Sequence, residues 1–319
     1  MSQAWVAVPF EVQKPRDGWR LDAYLADRLH RYSRRAVQRL IAAGQVSVAG
    51  RSVKAATRLA SGQTVIVRYP KHEQPPPAAE RLAVLFEDDW LMAVHKPGQM
   101  LSHPTDRIVD NAVTTVLRRQ RPQLRLHLAH RLDRETSGVL LLAKDAATAR
   151  LLTDSFTARR PRKTYLAVVA GEVSWRLKRV DQPLERDGGA IKVKQAVGRG
   201  LPAVTEFERL ARAGSASLLA ARPRTGRLHQ IRAHLAWLGH PIIGDKLYAG
   251  GGECYLKAVR RTLSADDLEA LGAARQMLHA RELSLPHPVT DEPLTISAPL
   301  PPDFKACLAR MGLPEPAHA

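Results

Sequence analysis

The chain has 319 residues, and its 49 Lys and Arg against 31 Asp and Glu give a formal net charge of +18. Apolar residues make up 45% and charged residues 25%, an ordinary globular balance at a length that fits two domains. Three classes are excluded: no stretch approaches the ~20 apolar residues of a membrane span, Met1 to Arg20 lacks the pattern of a signal peptide, and the two cysteines, Cys254 and Cys307, match no metal or redox spacing.

A reduced, cytoplasmic setting is therefore expected. The charge excess points to a polyanionic partner, because Lys and Arg that meet phosphates release condensed counterions; a general basic bias is the alternative. Residues 18–70 form the first predicted domain. Leu21, Tyr24, Leu25 and Leu29 recur at helical spacing. Ser33 suits the N-cap of a second helix carrying Val37, Leu40 and Ile41, and Gly44 suits its end. Val46 and Val48 read as a short strand with Ala49-Gly50 as its turn, and Val65 to Val67 as a later strand. Between residues 20 and 70 ten Lys and Arg face two Asp and Glu. Arg31, Arg34, Arg35 and Arg39 gather at the start and side of the second helix, which reads as a phosphate-contacting surface or, more plainly, as a solvated charged face.

Residues 71–80, with Pro75-Pro76-Pro77, read as an extended linker. The second domain is placed at 81–302. Strands are expected at Leu82 to Phe86, Leu91 to Val94, Val139 to Ala143, Tyr165 to Val169, Val204 to Leu210 and Ser217 to Ala221, and helices at Asn111 to Arg119, Ala146 to Arg160 and His229 to Leu238. Strands outnumber the helices between them, so the expected class is α+β with a mixed, mainly antiparallel sheet. Residues 303–319 are read as a C-terminal tail.

The densest polar cluster runs from His130 to Gly138 and feeds the apolar run Val139 to Leu142. Arg131 and Arg134 flank Asp133, and positive neighbours keep a carboxylate ionised and able to act as nucleophile or base; a structural ion pair is the competing reading. A second cluster runs from Thr225 to His234, with Thr225-Gly226 as the turn before a helix. Its His229 and His234, five apart with no acid between them, suit a metal poorly. Lys163-Thr164-Tyr165 opens a strand, where a tyrosine is ordinarily packing. Lys96-Pro97-Gly98 suits a turn, and Arg275 to Ala280 a helix-to-strand connection.

In this order the pieces resemble the RluA family of pseudouridine synthases, from about Leu82 to Pro299. His130 to Gly138 and Thr225 to His234 are similar to that family's two signature loops, and His240 to Asp245 and Leu278-His279-Ala280 extend the agreement. The first domain resembles the small S-four-like RNA-binding domain in Arg20-Leu21-Asp22, Ser33-Arg34-Arg35, Leu40-Ile41, Gly44-Gln45-Val46 and Gly62. Ala49 and Gln63 depart from its pattern, which often has Asn before Gly50 and Asp after Gly62.

The resemblance implies the isomerisation of uridine to pseudouridine in structured RNA, with no cofactor and no metal. Ribosomal large-subunit RNA is the favoured substrate, with transfer RNA as the alternative. It implies Asp133 as the catalytic carboxylate, acting on sugar or base or removing a sugar proton. It further implies Arg232 as its partner, Tyr165 as the platform for the base, and Leu278 as an apolar wall. Arg131 would fill the space left by the flipped nucleotide, with His130 and Arg227 also contacting substrate. A monomer without membrane attachment is expected. Two readings of other classes compete: a non-catalytic RNA-binding assembly protein, and a metal-dependent nuclease using His127, His130, Asp133 and His229.

Overall fold

The computed structural model describes residues 5–29, 32–70, 76–105 and 108–316. Two compact units divide the chain, Met1–Glu73 and Gln74–Ala319. No helix among the described residues is long and apolar enough to cross a membrane.

In the first unit the strands are β1 (Trp5–Glu11), β2 (Val46–Val48), β3 (Arg51–Ser52) and β4 (Thr64–Pro70), and the helices α1 (Leu21–Arg28) and α2 (Arg34–Ala42). The sheet runs β1-β4-β2-β3, antiparallel throughout. Leu21, Tyr24 and Leu25 of α1 and Val37 and Ile41 of α2 close over Val46, Val48, Val65 and Val67. The Ser33 hydroxyl accepts from the Ala36 amide at 3.3 Å and starts α2, as its sequence position suggests. Ala49 and Gly50 both have positive φ, 47° and 76°, the backbone of a tight hairpin turn. That conformation favours Asn over Ala at the first position, which explains why the common pattern has Asn where this chain carries a strained Ala49. The unit also reaches further toward the N-terminus than residue 18. β1 pairs with β4 over seven residues, but its sequence alternates too weakly to be recognised without that partner.

The second unit contains β5 (Val84–Glu87), β6 (Leu91–Lys96), α3 (Val113–Gln120), β7 (His127–Leu128), β8 (Ser137–Ala143), α4 (Ala146–Thr157) and β9 (Arg162–Ala170). It continues with β10 (Leu177–Asp181), β11 (Leu184–Arg186), β12 (Gln195–Val197), β13 (Val204–Ala213), β14 (Ala216–Pro223) and α5 (Gln230–Trp237). The last elements are α6 (Glu253–Arg260), α7 (Ala265–Leu271), β15 (Leu278–Pro286), β16 (Pro293–Ser297) and α8 (Pro302–Arg310). The main sheet runs β10-β13-β14-β9-β15-β8-β6-β5, with β16 beside β15 and β7 beside β8. Its strands pair antiparallel except β8 with β15. The expected mixed, mainly antiparallel α+β fold is the fold observed.

Every residue of β8 is buried. Leu140 and Leu142 face α3, through Val113, Val116 and Leu117, while Val139, Leu141 and Ala143 face Leu152 of α4. A strand covered on both faces reads as an unbroken apolar run, which is how it stands in the sequence. Residues 303–310 do not form a tail. They belong to α8, whose Phe304, Cys307 and Leu308 lie on one helical face and pack into the core with β9, β14 and α5. The linker expected at 71–80 lies partly outside the described residues, which resume at Pro76.

Candidate active site

A cleft of about 690 Å³ opens between the loop before β8, the start of β9 and the loop before α5. Asp133, Arg131, His130, Tyr165, Arg227, Arg232 and Leu278 all line it. The structure thus gathers the seven residues singled out in this unit, from four separate stretches of sequence.

The loop carrying Asp133 is tied down on both sides of that residue. Ser102 binds both the amide and the carbonyl of Leu132 at 3.0 Å. The Lys96 ammonium, fully buried, donates to the carbonyls of Arg134, Pro97 and Met100. Burial, with Arg275 nearby, holds its pKa well below the ordinary lysine value. Arg275 donates to the Glu135 carbonyl at 2.9 Å and is itself held by Asp303 of α8. The Glu135 carboxylate accepts from Lys246 and from the Gln276 amide, while Gln276 also donates to Thr136. Ser137 pairs with His279 at 3.0 Å. Gly138 then enters β8 at φ +118°, where a Cβ would collide with the backbone of Ala280. No side chain fits that contact, so the parallel approach of β8 and β15 requires glycine.

Asp133 is left projecting into the cleft. Its Oδ2 accepts from Arg232 Nη1 at 2.9 Å, with His229 Nε2 at 3.8 Å. Its Oδ1 accepts no hydrogen bond from a described residue. Arg232 comes from α5 and is nearly buried. Its Nε and Nη2 fork onto the fully buried Asp245 at 2.7 and 2.8 Å. Asp245 in turn accepts from the amides of Leu247 and Tyr248. The guanidinium also lies over the Tyr248 ring at 5.1 Å. Burial pushes the Asp133 carboxyl upward, but the charges of His229 when protonated, Arg232 and Arg131, with the Arg232 hydrogen bond, bring it below the ordinary carboxylate value. Asp133 is therefore ionised at neutral pH.

His229 does not lie within the helix. It is the N-cap, in the left-handed region at φ 55°. Burial and the Arg232 charge bring its pKa down to about 4, so the ring is neutral at pH 7. Its Nδ1 lies 3.3 Å from Tyr248 Oη, which also accepts from the Gln195 amide. The loop before α5 is organised by Gln230, which accepts from Thr225 Oγ1 and the Arg227 amide and donates to Val204 and Thr205. His234 is fully buried against Thr205 and the Gln182 carbonyl, far from a metal-binding role. Among the described residues, no three His, Cys, Asp or Glu side chains come together as a metal site.

Tyr165 is half-buried at the meeting of two core clusters. Burial and the charge of Asp133 push its phenol well above the ordinary tyrosine value, so it stays protonated. Leu278 is buried beside it in the sheet. His130 stacks on Phe156, and its Nε2 accepts from the Leu141 amide, so the ring is committed mainly to the wall. Arg131 is exposed, and Arg227 donates to the Pro202 carbonyl.

In the first unit Arg35 and Arg39 are exposed on α2. Arg34 has another task. With Arg20 and Gln38 it hydrogen-bonds the fully buried Asp22, holding that carboxyl far below its ordinary value against the cost of burial. Arg31 lies outside the described residues.

Asp245, Tyr248, Lys96 and Arg275 were given no role from sequence. Their only signal there was position: Asp245 closes the His240 to Asp245 stretch, and Lys96 and Arg275 open short polar motifs.

The model of the RNA pseudouridylate synthase family matches residues 90–237, and that of the S4 domain matches residues 19–65. The chain is 35% identical over 302 residues to ribosomal large subunit pseudouridine synthase D of Xanthomonas campestris pv. campestris, covering 92% of this chain and 89% of that protein. It is 32% identical over 318 residues to ribosomal large subunit pseudouridine synthase C of Vibrio cholerae, covering 94% and 96%. Among solved structures, the human RNA pseudouridylate synthase domain containing 1 is 25% identical, with a TM-score of 0.59 over 73% of this chain and 90% of that one.

Proposed function

The chain belongs to the RluA-type family of RNA pseudouridine synthases, and from that premise we propose that it isomerises uridine in large-subunit ribosomal RNA through the carboxylate of Asp133. One observation carries the residue assignment. Asp133 offers an ionised carboxylate with one oxygen clamped by Arg232 and the other open, in a cleft that also holds Tyr165 and Leu278.

The target uridine must first leave its stack, at a cost of a few kcal/mol that is smallest in loops. The exposed Arg131 at the cleft rim enters the vacated space, and the basic N-terminal unit, through Arg35 and Arg39, binds phosphates of the same RNA. The uracil lies against the Tyr165 ring, whose π face accepts any base, with Leu278 excluding water behind it. Arg232 fixes the rotamer and charge of Asp133, and Asp245 fixes Arg232. The open Oδ1 meets the nucleotide. The bond from the anomeric carbon to N1 breaks, the uracil turns, and a bond from the same carbon forms to C5. The proton lost at C5 is balanced by one gained at N1, so the reaction needs no oxidant. His130 and Arg227 complete the walls around the bound nucleotide. In this reading the enzyme acts as a cytoplasmic monomer.

The test is to map pseudouridine across total RNA from cells carrying the wild-type gene, no gene, or Asp133→Asn. One or a few large-subunit uridines should lose modification in the last two. A change confined to transfer RNA would move the substrate. Full modification with Asp133→Asn would remove the catalytic assignment.

A further inference from the structure

Beside the catalytic cleft the chain carries four cations in five residues: Arg159, Arg160, Arg162 and Lys163, interrupted only by Pro161. Most basic runs are interleaved with acids, and elsewhere in this unit Arg179, Arg222 and Arg224 each meet a carboxylate. These four form no ion pair or side-chain hydrogen bond with any described residue. Their positions are also divided. Arg159 and Lys163 line the catalytic cleft, while Arg160 and Arg162 line a second hollow of about 340 Å³ against β15 and β16. The division follows from strand geometry, because Arg162 and Lys163 are successive residues of β9 and point to opposite faces. Lys163 shares its face with Tyr165.

The backbone at Arg159 gives a second, independent sign. Helix α4 ends in a Schellman motif: the Arg159 amide donates to Phe156 O at 3.1 Å and the Arg160 amide to Ser155 O at 3.1 Å. The motif places Arg159 at φ 57°, in the left-handed region. Gly or Asn is the usual occupant there, and an arginine is strained. Among the described residues no ion pair or side-chain hydrogen bond of the guanidinium offsets that strain. Left-handed residues cluster at binding sites, and this one stands on the cleft wall, which points to a partner among what the cleft binds. The Lys163 ammonium lies 5.5 Å from the centre of the Phe156 ring, and burial lowers its pKa with no carboxylate to offset it, so an incoming anion would find a cation without a counter-charge.

We infer that Arg159, Arg160, Arg162 and Lys163 form a phosphate-binding rail for the RNA strand that leaves the catalytic cleft on one side of the flipped nucleotide. The inference rests on the RNA-modifying reading above for its substrate and extends it to a defined path. The hollow's one acid, Asp291, is exposed and pairs with none of the four. The rail does not touch the reacting atoms; it positions the strand.

The full-length protein is tested as wild type, Arg159→Gly, Arg159→Lys and the double variant Arg160→Gln with Arg162→Gln. Binding to a large-subunit ribosomal RNA fragment is measured against salt, and pseudouridine formation against RNA concentration. Arg159→Gly should raise Tm by about 2–4 °C, since it relieves the left-handed residue. It should also lower the slope of log affinity against log salt by about one, and raise KM several-fold with a smaller change in kcat. Arg159→Lys should restore most of the slope, and the double variant should lower it by about two. Unchanged slopes in Arg159→Gly and the double variant would overturn the rail. The slope is read from binding alone, so it decides the matter even on an RNA that is not converted. Failure of the parent reading appears differently, as wild-type protein that forms no pseudouridine.

Discussion

Asp133→Asn and Asp245→Asn make the same change of charge beside the same guanidinium, and they should have opposite consequences. The Arg232 side chain is 10% exposed, between Asp245 at 0% and Asp133 at 23%. One cation against two carboxylates leaves the hydrogen-bonded trio at −1, and either substitution brings the trio to zero, within a cleft whose wall also carries Arg131 and Arg227. Donor and acceptor geometry then decides. Asp133 uses only Oδ2, so an asparagine there can turn its carbonyl to Arg232 and its amide to the open cleft. The hydrogen bond weakens, but Asp133 stands at the open side of the trio, where solvent screens the lost attraction, and the net effect should lie within about 1 kcal/mol. Asp245 uses both oxygens: Oδ2 accepts from Arg232 Nε, and Oδ1 from Arg232 Nη2 and the amides of Leu247 and Tyr248. An asparagine must place its amide against one of those donors, in a fully buried site. Breaking a buried pair in this way costs about 3–5 kcal/mol, which lowers Tm by roughly 10 °C in a unit of this size. Urea and thermal unfolding of both full-length variants, with RNA binding and pseudouridine formation measured in parallel, provide the assay. Asp133→Asn should be stable, bind RNA and have no turnover. Asp245→Asn should be unstable and lose about 100-fold in turnover as Arg232 and Asp133 drift. Equal losses of stability, or a larger loss in Asp133→Asn, would refute Asp245 as the anchor.

Gly138→Ala should fail to fold or unfold well below the wild-type temperature, because both its φ of +118° and the Ala280 backbone forbid a Cβ; a wild-type melting curve would contradict the contact. Lys96→Met should cost about 3 kcal/mol or more, since three carbonyls lose their donor and one belongs to Arg134 beside Asp133. Its kcat should fall further than its RNA affinity, and equal falls would dissociate Lys96 from the loop. Acid should destabilise the second unit in a defined window. Burial brings His130, His229 and His279 from 6.5 down to about 3, 4 and 3. The unfolded chain therefore takes up these protons first, so stability is full above about pH 6.5 and falls as the pH drops toward 4. Near pH 5 three protons separate the states, a slope of up to about 4 kcal/mol per pH unit. A urea midpoint that stays flat between pH 7 and 5 would show that these rings are not held neutral.

Local chemistry was legible in the sequence wherever the physical cause is local. Ser33 caps α2 because its hydroxyl reaches only three residues ahead. The run from Val139 to Leu142 announced a strand covered on both faces, as β8 is. The polar clusters around Asp133 and Arg232 could be picked out, and their resemblance to a known family named the chemistry. Other features depended on partners distant in the chain. β1 is held by register with β4, some sixty residues on, and the run at 303–310 becomes α8 only because the sheet offers an apolar face for Phe304 and Leu308. The meeting of Asp133 with Arg232 spans 99 residues. It exists because β8, β9 and α5 pack side by side, while Lys96, Arg275, Glu135 and Asp245 clamp the loops between them. A sequence shows which side chains are able to react. Long-range packing decides which one is held by its neighbours and left open on the side facing the substrate.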